Sequence, residues 1–362
     1  MRQDADIVVV GAGIAGVATA SALAGYKGSV VLLEQFELGH ERGSSHGTSR
    51  IFRLNYPDER FVRLAMAADE AWRKLEAERG EHLIERVGSL DLGPVAAETG
   101  RALASCGVPY ETLSAQEIGA RWPLRLEPGE TAVFQPDGGV TYADRAHATL
   151  VAEAVQGGVE VREETPVRSL AIERNAVRLA LDSGELTARA VVVAAGAWGP
   201  ALLAPLGIEL PVVPTRETVV YVALPGAEAL PPVIDYGRLP PRGDGGISRV
   251  GQSSYGLAAP GRGLKAGLHH SGPRISPDSA PAPDERLATW VAAWVASRFD
   301  GAGEVLGLET CLYTNTADEE FVLERHGRVV VGSACSGHGF KFAPVVGRTL
   351  AALAREAAVL TN

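Results

Sequence analysis

The sequence predicts an α/β protein of two domains. Three observations carry that expectation. The chain has 362 residues, more than one hydrophobic core usually serves. It opens on a buried strand, a glycine turn, a small-residue helix and a second strand, "DIVVVGAGIAGVATASALA" and then "SVVLLEQ". Its middle, from 224 to 284, is rich in proline and glycine and breaks that regularity.

Composition narrows the function. Hydrophobic residues make up 46% and charged residues 22%, as in ordinary soluble globular proteins. A net charge of -10 without a basic cluster argues against a nucleic-acid partner. No apolar run reaches the roughly 18 residues a membrane span needs. The start, "MRQDADIVVVGAG", has too short an apolar run for a secretory leader, and the end, "AVLTN", is not a peroxisomal address. Cys106, Cys311 and Cys335 have no paired spacing, which fits a reducing cytoplasm and offers no metal site.

The opening glycines, Gly11, Gly13 and Gly16, are spaced GxGxxG. The first permits the turn, the second lets backbone approach a pyrophosphate, and the third lets helix pack on strand. Ile14 and Ala15 begin the helix, whose free N–H groups face a phosphate. The second strand ends at Glu34 and Gln35, 18 and 19 residues after Gly16, where an acidic side chain accepts from a ribose diol. This is a Rossmann-like dinucleotide site. No second complete GxGxxG occurs, as a flavoprotein reduced by NAD(P)H would need. The single nucleotide fold points to FAD, with electrons drawn from a substrate.

Next comes "RGSSHGTSRIFR", a polar loop with Ser44, Ser45 and His46, followed by Arg50 and Arg53. In an extended segment two arginines three apart point to opposite faces, one toward a cofactor and one toward a substrate anion. The strand "ETPVRSLAI" places Val167 beside an adenine. "ELTARAVVVAAGAWGP" is a strand entering a small-residue turn with Ala195, Gly196 and Trp198, again suited to close cofactor approach. In "GRGLKAGLHHSG", Lys265, Gly267 and His269 alternate on one face, with the glycine leaving room for a flat ring. In "CLYTNTADEEF", Cys311 and Tyr313 share a strand face. The last motif, "SGHGFKFAPVVGRTLAALA", sets His338 and Lys341 among Gly337, Gly339 and Phe340 just before a helix. Lys341 is one of only four lysines, with Lys27, Lys74 and Lys265.

Taken in order from about residue 5 to 355, these motifs resemble the monomeric sarcosine oxidase and N-methyltryptophan oxidase family, D-amino-acid-oxidase-type flavoproteins. The resemblance implies a glutathione-reductase-type FAD-binding domain at 1–85, 145–212 and 305–362. A mixed, largely antiparallel substrate domain would be inserted at 86–144 and 213–304. It implies oxidation of a secondary amine on an amino acid, hydride passing to flavin N5 to give an imine, and O2 returning as hydrogen peroxide. An oxidase or dehydrogenase of a cyclic imino acid is the alternative, and a flavin-binding subunit without turnover a more distant one.

By residue, the resemblance implies a thioether from Cys311 to the flavin, its thiol activated by His46 and Arg50. It implies Lys265 for oxygen, Arg53 and Lys341 for the substrate carboxylate, and Tyr255, His269, Tyr313 and His338 around the substrate. The glycines about Lys341 would admit the flavin ring. A monomer or weak homodimer is expected. Relatives usually continue past the last helix, so contacts made by that tail would be absent here or supplied by a partner chain. The stretch 213–260, with "LPPRGDGGISRV", matches the family poorly and leaves the substrate side chain unread.

Overall fold

The computed structural model describes residues 3–237 and 252–360. The motif "LPPRGDGGISRV" lies outside the described residues.

The first strand, Ala5–Val10, is buried on both faces, which is why it reads as a continuous apolar run. It pairs in parallel with Val30–Leu33 on one side and with Gly184–Val193 on the other. Glu160–Arg162 extends the sheet in parallel beyond Val30–Leu33. The ten-residue strand Gly184–Val193 divides its partners. Its start takes the antiparallel meander Val167–Ile172 and Val177–Leu181, and its end takes Val329–Ser333 in parallel. This is the dinucleotide-binding α/β sheet the glycine motif predicts.

Helices Ile14–Ala22 and Ala343–Ala358 pack closely because both present small residues. A Cβ on Gly347 would stand 2.3 Å from the Ala18 carbonyl oxygen, and one on Gly16 only 1.8 Å from that of Gly11. Gly11 itself has φ +97°, a conformation side chains rarely adopt. The turn, the first helix and the closing helix are therefore fixed against one another by missing side chains.

The second sheet has eight strands, in the order Val305–Asn315, Val213–Val222, Leu264–Leu268, Ser254–Ala258, Val233–Asp235, Ser89–Leu92, Thr131–Gln135, Glu111–Ser114. All neighbours are antiparallel except Val233–Asp235 with Ser89–Leu92. Helix Glu285–Arg298 is anchored at its end by buried Asp235, which accepts from Trp294 Nε1 at 2.9 Å and Arg298 Nε at 2.8 Å. A small sheet of Ser49–Phe52, Gly139–Tyr142 and Ile84–Glu85 stands beside the two.

Two boundaries differ from the sequence division. Val305–Asn315, placed there with the nucleotide-binding segment, runs along Val213–Val222 over its full length and is an edge strand of the second sheet. Gly139–Tyr142, placed with the substrate segment, pairs with Ser49–Phe52 instead. Both follow from strand pairing between distant segments, which local pattern does not record.

Gly347→Val will lower the urea midpoint, at a cost of about 1–3 kcal/mol for overpacking. Gly119→Ala, on a helix where a Cβ would meet only the Leu124 carbonyl oxygen at 3.8 Å, will hold it or raise it.

Candidate active site

Two cavities meet between the sheets. The outer one has a volume of about 860 Å³. Gly11, Gly13, Ile14 and Ala15 line it from the glycine turn, Glu34 and Gln35 from the end of the second strand, and Ser44, Ser45 and His46 from the polar loop. Val167, Ala195, Gly196 and Trp198 complete it from the meander and the small-residue turn. Gly16 stays outside the lining and serves the packing described above.

Glu34 is buried and accepts from Ala12 N at 2.7 Å and Phe36 N at 3.1 Å, with His40 Nε2 at 3.5 Å. Burial would raise its carboxyl. The bonds from His40, Ala12 and Phe36 outweigh that and hold it below the usual range. A carboxylate has about four lone-pair sites, so capacity remains for a ribose hydroxyl. Ser45 Oγ accepts from Ile14 N at 2.9 Å, placing the polar loop against the helix N-terminus. Sequence reading missed His147, which lines this cavity and stands 2.7 Å from the Ala12 carbonyl oxygen.

The inner cavity, about 140 Å³, shares Ile14, Ser44, Ser45, Ala334 and Cys335 with the outer one. Every residue expected at the reacting end lines it: Arg50, Arg53, Tyr255, Lys265, His269, Cys311, Tyr313, Gly337, His338, Gly339, Phe340 and Lys341. Among the described residues its lining holds no Asp or Glu.

Its cations form two groups. Lys265, 8% exposed, sits on a fully buried strand and donates to the Ser49 carbonyl at 3.3 Å. Burial first, then Arg50, press its pKa down to about 7. Arg50 is folded onto its own loop, donating to the carbonyls of Ser44, His46 and Ser49. Lys341, 4% exposed, donates to the His338 carbonyl at 2.8 Å, and its own carbonyl accepts from Trp72 Nε1 at 2.8 Å. Burial, then Arg53, hold its ammonium well below the ordinary range. Arg53 lies over the Tyr56 ring and is paired with buried Asp91 at 3.3 Å. Burial works against its charge, but Tyr236 and Asp91 keep it protonated.

The uncharged members are as deliberate. Burial keeps His269 well below its ordinary pKa and His338 at about 3. His269 Nδ1 stands 3.4 Å from the Tyr313 hydroxyl, and His338 Nδ1 stands 3.3 Å from that of Tyr56. Burial also pushes the Tyr255 and Tyr313 hydroxyls up.

Several expectations change. His46 supplies no charge to Cys311: burial and Arg50 lower its pKa to about 4. Arg50 and Lys265 are the cations that favour the thiolate, against a burial that raises the Cys311 thiol overall. Gly267 makes room for Tyr255, whose hydroxyl would lie 2.6 Å from a Cβ there, and not for a cofactor ring. Gly339 is closed on the Ala334 carbonyl and Gly337 on the Tyr313 and His269 rings, so these glycines serve the protein's own packing. Sequence reading also missed Asp91, Tyr236 and Glu217. Glu217 accepts from Ser271 N and Gly272 N at 2.8 and 2.7 Å and ties down the turn that carries His269. His269 and His270 of that turn and Glu319, from the loop after Val305–Asn315, bring ligand-type atoms within 4.8 Å of one another, and His270 Nε2 is 3.2 Å from Glu319 Oε1.

A family model described as FAD dependent oxidoreductase (DAO) matches residues 6–353. The chain belongs to the DAO family of FAD-dependent oxidoreductases. Peroxisomal sarcosine oxidase of Mus musculus is 35% identical to this DAO-family protein over 95% of this chain and 90% of its own. Monomeric sarcosine oxidase of Arthrobacter sp. (strain TE1826) is 31% identical over 98% and 93%. Among solved structures, the open form of NikD, described as an unusual amino acid oxidase essential for nikkomycin biosynthesis, superposes with a TM-score of 0.86. It is 27% identical and covers 98% of this chain and 95% of that one.

The residues of this DAO-family oxidoreductase fit FAD. The outer cavity offers a glycine turn and helix N-terminus for a pyrophosphate and a buried carboxylate for a ribose. The shared wall leads from there to the buried cations. No helix among the described residues is long and apolar enough to cross a membrane.

The depressed Lys265 pKa fixes a pH dependence of stability. Its folded value is about 7 against an ordinary 10.5, so unfolding takes up a proton between them and stability rises with pH across that window. Lys265→Met will be more stable than the native protein at neutral pH, and its urea midpoint will rise less toward alkaline pH. Equal slopes in both proteins would mean that the ammonium is in contact with water.

Proposed function

We propose that this enzyme oxidises a secondary amine on an amino acid, an N-methylated one such as N-methylglycine, to an imine that water hydrolyses. Electrons go on to O2 and give hydrogen peroxide, and FAD is held covalently through Cys311 Sγ. The protein acts as a monomer in a bacterial cytoplasm. The observation that carries this reading is buried Lys341 and largely buried Arg53, both lining a cavity to which the described residues contribute no carboxylate.

The residues divide the work. Lys341 and the open edge of Arg53 take the substrate carboxylate, the lysine as a point charge and the arginine through its planar fork. Bound FAD supplies the two-electron acceptor. With no acidic side chain among the described residues that line the cavity, an ammonium group would be desolvated without a counter-charge, so the site favours the neutral amine whose lone pair drives oxidation. The neutral imidazoles of His269 and His338 add no charge that would disturb that balance. Tyr255 and Tyr313 are apolar walls with protonated hydroxyls. Lys265, beside Arg50 and Cys311, is a preorganised cation where charge develops on oxygen.

The relatives named sarcosine oxidase support the N-methyl class. Peroxide release from a panel of N-methyl and cyclic amino acids is the test. Strong release from N-methyl substrates is the expected result. A yellow protein bleached by no amine would contradict it.

Lys341→Met will raise KM for carboxylate substrates about 10–100-fold, the equivalent of a charge-assisted hydrogen bond of roughly 1.5–3 kcal/mol, while FAD content stays constant. Parallel loss of FAD would make Lys341 a structural residue. Acid precipitation will leave the yellow colour in the native pellet and release it from Cys311→Ser.

A further inference from the structure

We propose that Asp91 is the built-in counter-anion of Arg53, which fixes the guanidinium from behind and limits the inner cavity to substrates with a single carboxylate. The inference rests on the reading of Arg53 and Lys341 as the carboxylate site.

Asp91 lies on Ser89–Leu92, beside Ile234 of the parallel neighbour strand, and Ile234 lines the inner cavity. Asp91 itself is 0% exposed. Its carboxylate faces Arg53 Nη1, at 3.3 Å from Oδ2 and 3.5 Å from Oδ1, and Thr99 Oγ1 donates to Oδ2 at 3.4 Å. The Asn55 side chain also bonds to it; Tyr56, Tyr236, Lys341, His269 and His338 are the other titratable groups that interact with Arg53, and Glu319 acts on the two tyrosines. The bonds of Arg53 to Asp91 and to the Asn55 carbonyl all fall on Nη1. That leaves Nη2 and Nε for Tyr236 and for a ligand in the cavity that Arg53 lines.

The pair is loose. Charge-assisted N–H···O⁻ bonds usually run about 2.7–2.9 Å, shorter than either distance here. Burial raises the Asp91 carboxyl to about 6 even with Arg53 beside it. A loose pair lets the guanidinium turn toward a ligand without being released from Asp91.

The charge sum then sets the specificity. At this end of the cavity, among the described residues, Arg53 brings one positive charge and Lys341 a second once a bound anion holds its proton, and Asp91 removes one of them. One substrate carboxylate then brings this group of described residues to neutrality, Lys265 and Arg50 forming the separate group beside Cys311. A second would leave an uncompensated negative charge in a buried cavity, which is strongly unfavourable. The discrimination comes from a repulsive element placed against the wrong ligand. Without Asp91 the same two cations would accept a dianion.

The test uses the FAD-loaded enzyme and two probes of similar size, propionate and malonate, at a pH where both are fully ionised. Binding is read from the perturbed visible spectrum of the flavin, without turnover. Wild type should bind propionate at least about tenfold more tightly than malonate, and Asp91→Asn should shrink that gap to about threefold or less. Asp91→Glu, which keeps the charge, should keep the gap. Wild type binding malonate as tightly as propionate would overturn the proposal, and this comparison needs no variant to fold. Asp91→Asn weakening both anions in parallel would also overturn it and leave a structural residue. In either of those cases oxidation of N-methyl amino acids by wild type would be untouched, so the proposed reaction would survive the loss of this role.

Discussion

An ammonium group taken out of water loses several kcal/mol of solvation unless a partner restores it. This protein takes two, Lys265 and Lys341, into the same cleft, and gives each an arginine as neighbour and a backbone carbonyl as acceptor. Such a cleft is electrostatically incomplete. In the proposed function, negative charge is brought in by something else, a substrate carboxylate at Lys341 and developing charge on oxygen at Lys265. The depressed lysine pKa values and the neutral histidines both follow from that one desolvated environment.

Holding such a cleft open requires a rigid frame. The first strand, the glycine turn and the closing helix are locked by close contacts that exclude side chains at Gly16 and Gly347. The closing helix begins immediately after Lys341, whose carbonyl is bound by buried Trp72. The second sheet brings Lys265, Cys311 and Tyr313 from adjacent or near-adjacent strands. The walls thus come from different elements, Lys265, Cys311 and Tyr313 from the second sheet, Arg53 from just beyond Ser49–Phe52 and Lys341 from the turn before the closing helix.

Much of this was legible along the chain. Gly11, Gly13, Gly16 and Glu34 could be read because the turn, the helix and the acidic residue form one contiguous unit with fixed spacing. The inner-cavity residues could be collected because their motifs resemble those of one family in order. What escaped was set by contacts between distant segments. Asp91 and Glu217 act across strands whose neighbours are not adjacent in sequence. The charge of His46 depends on its burial and on Arg50. Gly267 showed that a ring would lie close, but only strand pairing showed the ring to be Tyr255. The strand Val305–Asn315 carries a site residue of the cofactor type and yet belongs to the other sheet.

The central claim is that the desolvated cations select a carboxylate and admit an uncharged amine beside it. Anaerobic mixing of the FAD-loaded enzyme with N-methylglycine, and separately with its methyl ester, tests it most directly. Both carry the same amine and the same bond to be oxidised, and only the first carries the anion. The account predicts that the free acid bleaches the flavin and that the ester does so at least about a hundredfold more slowly at equal concentration of neutral amine. Equal rates of bleaching by the two would contradict it.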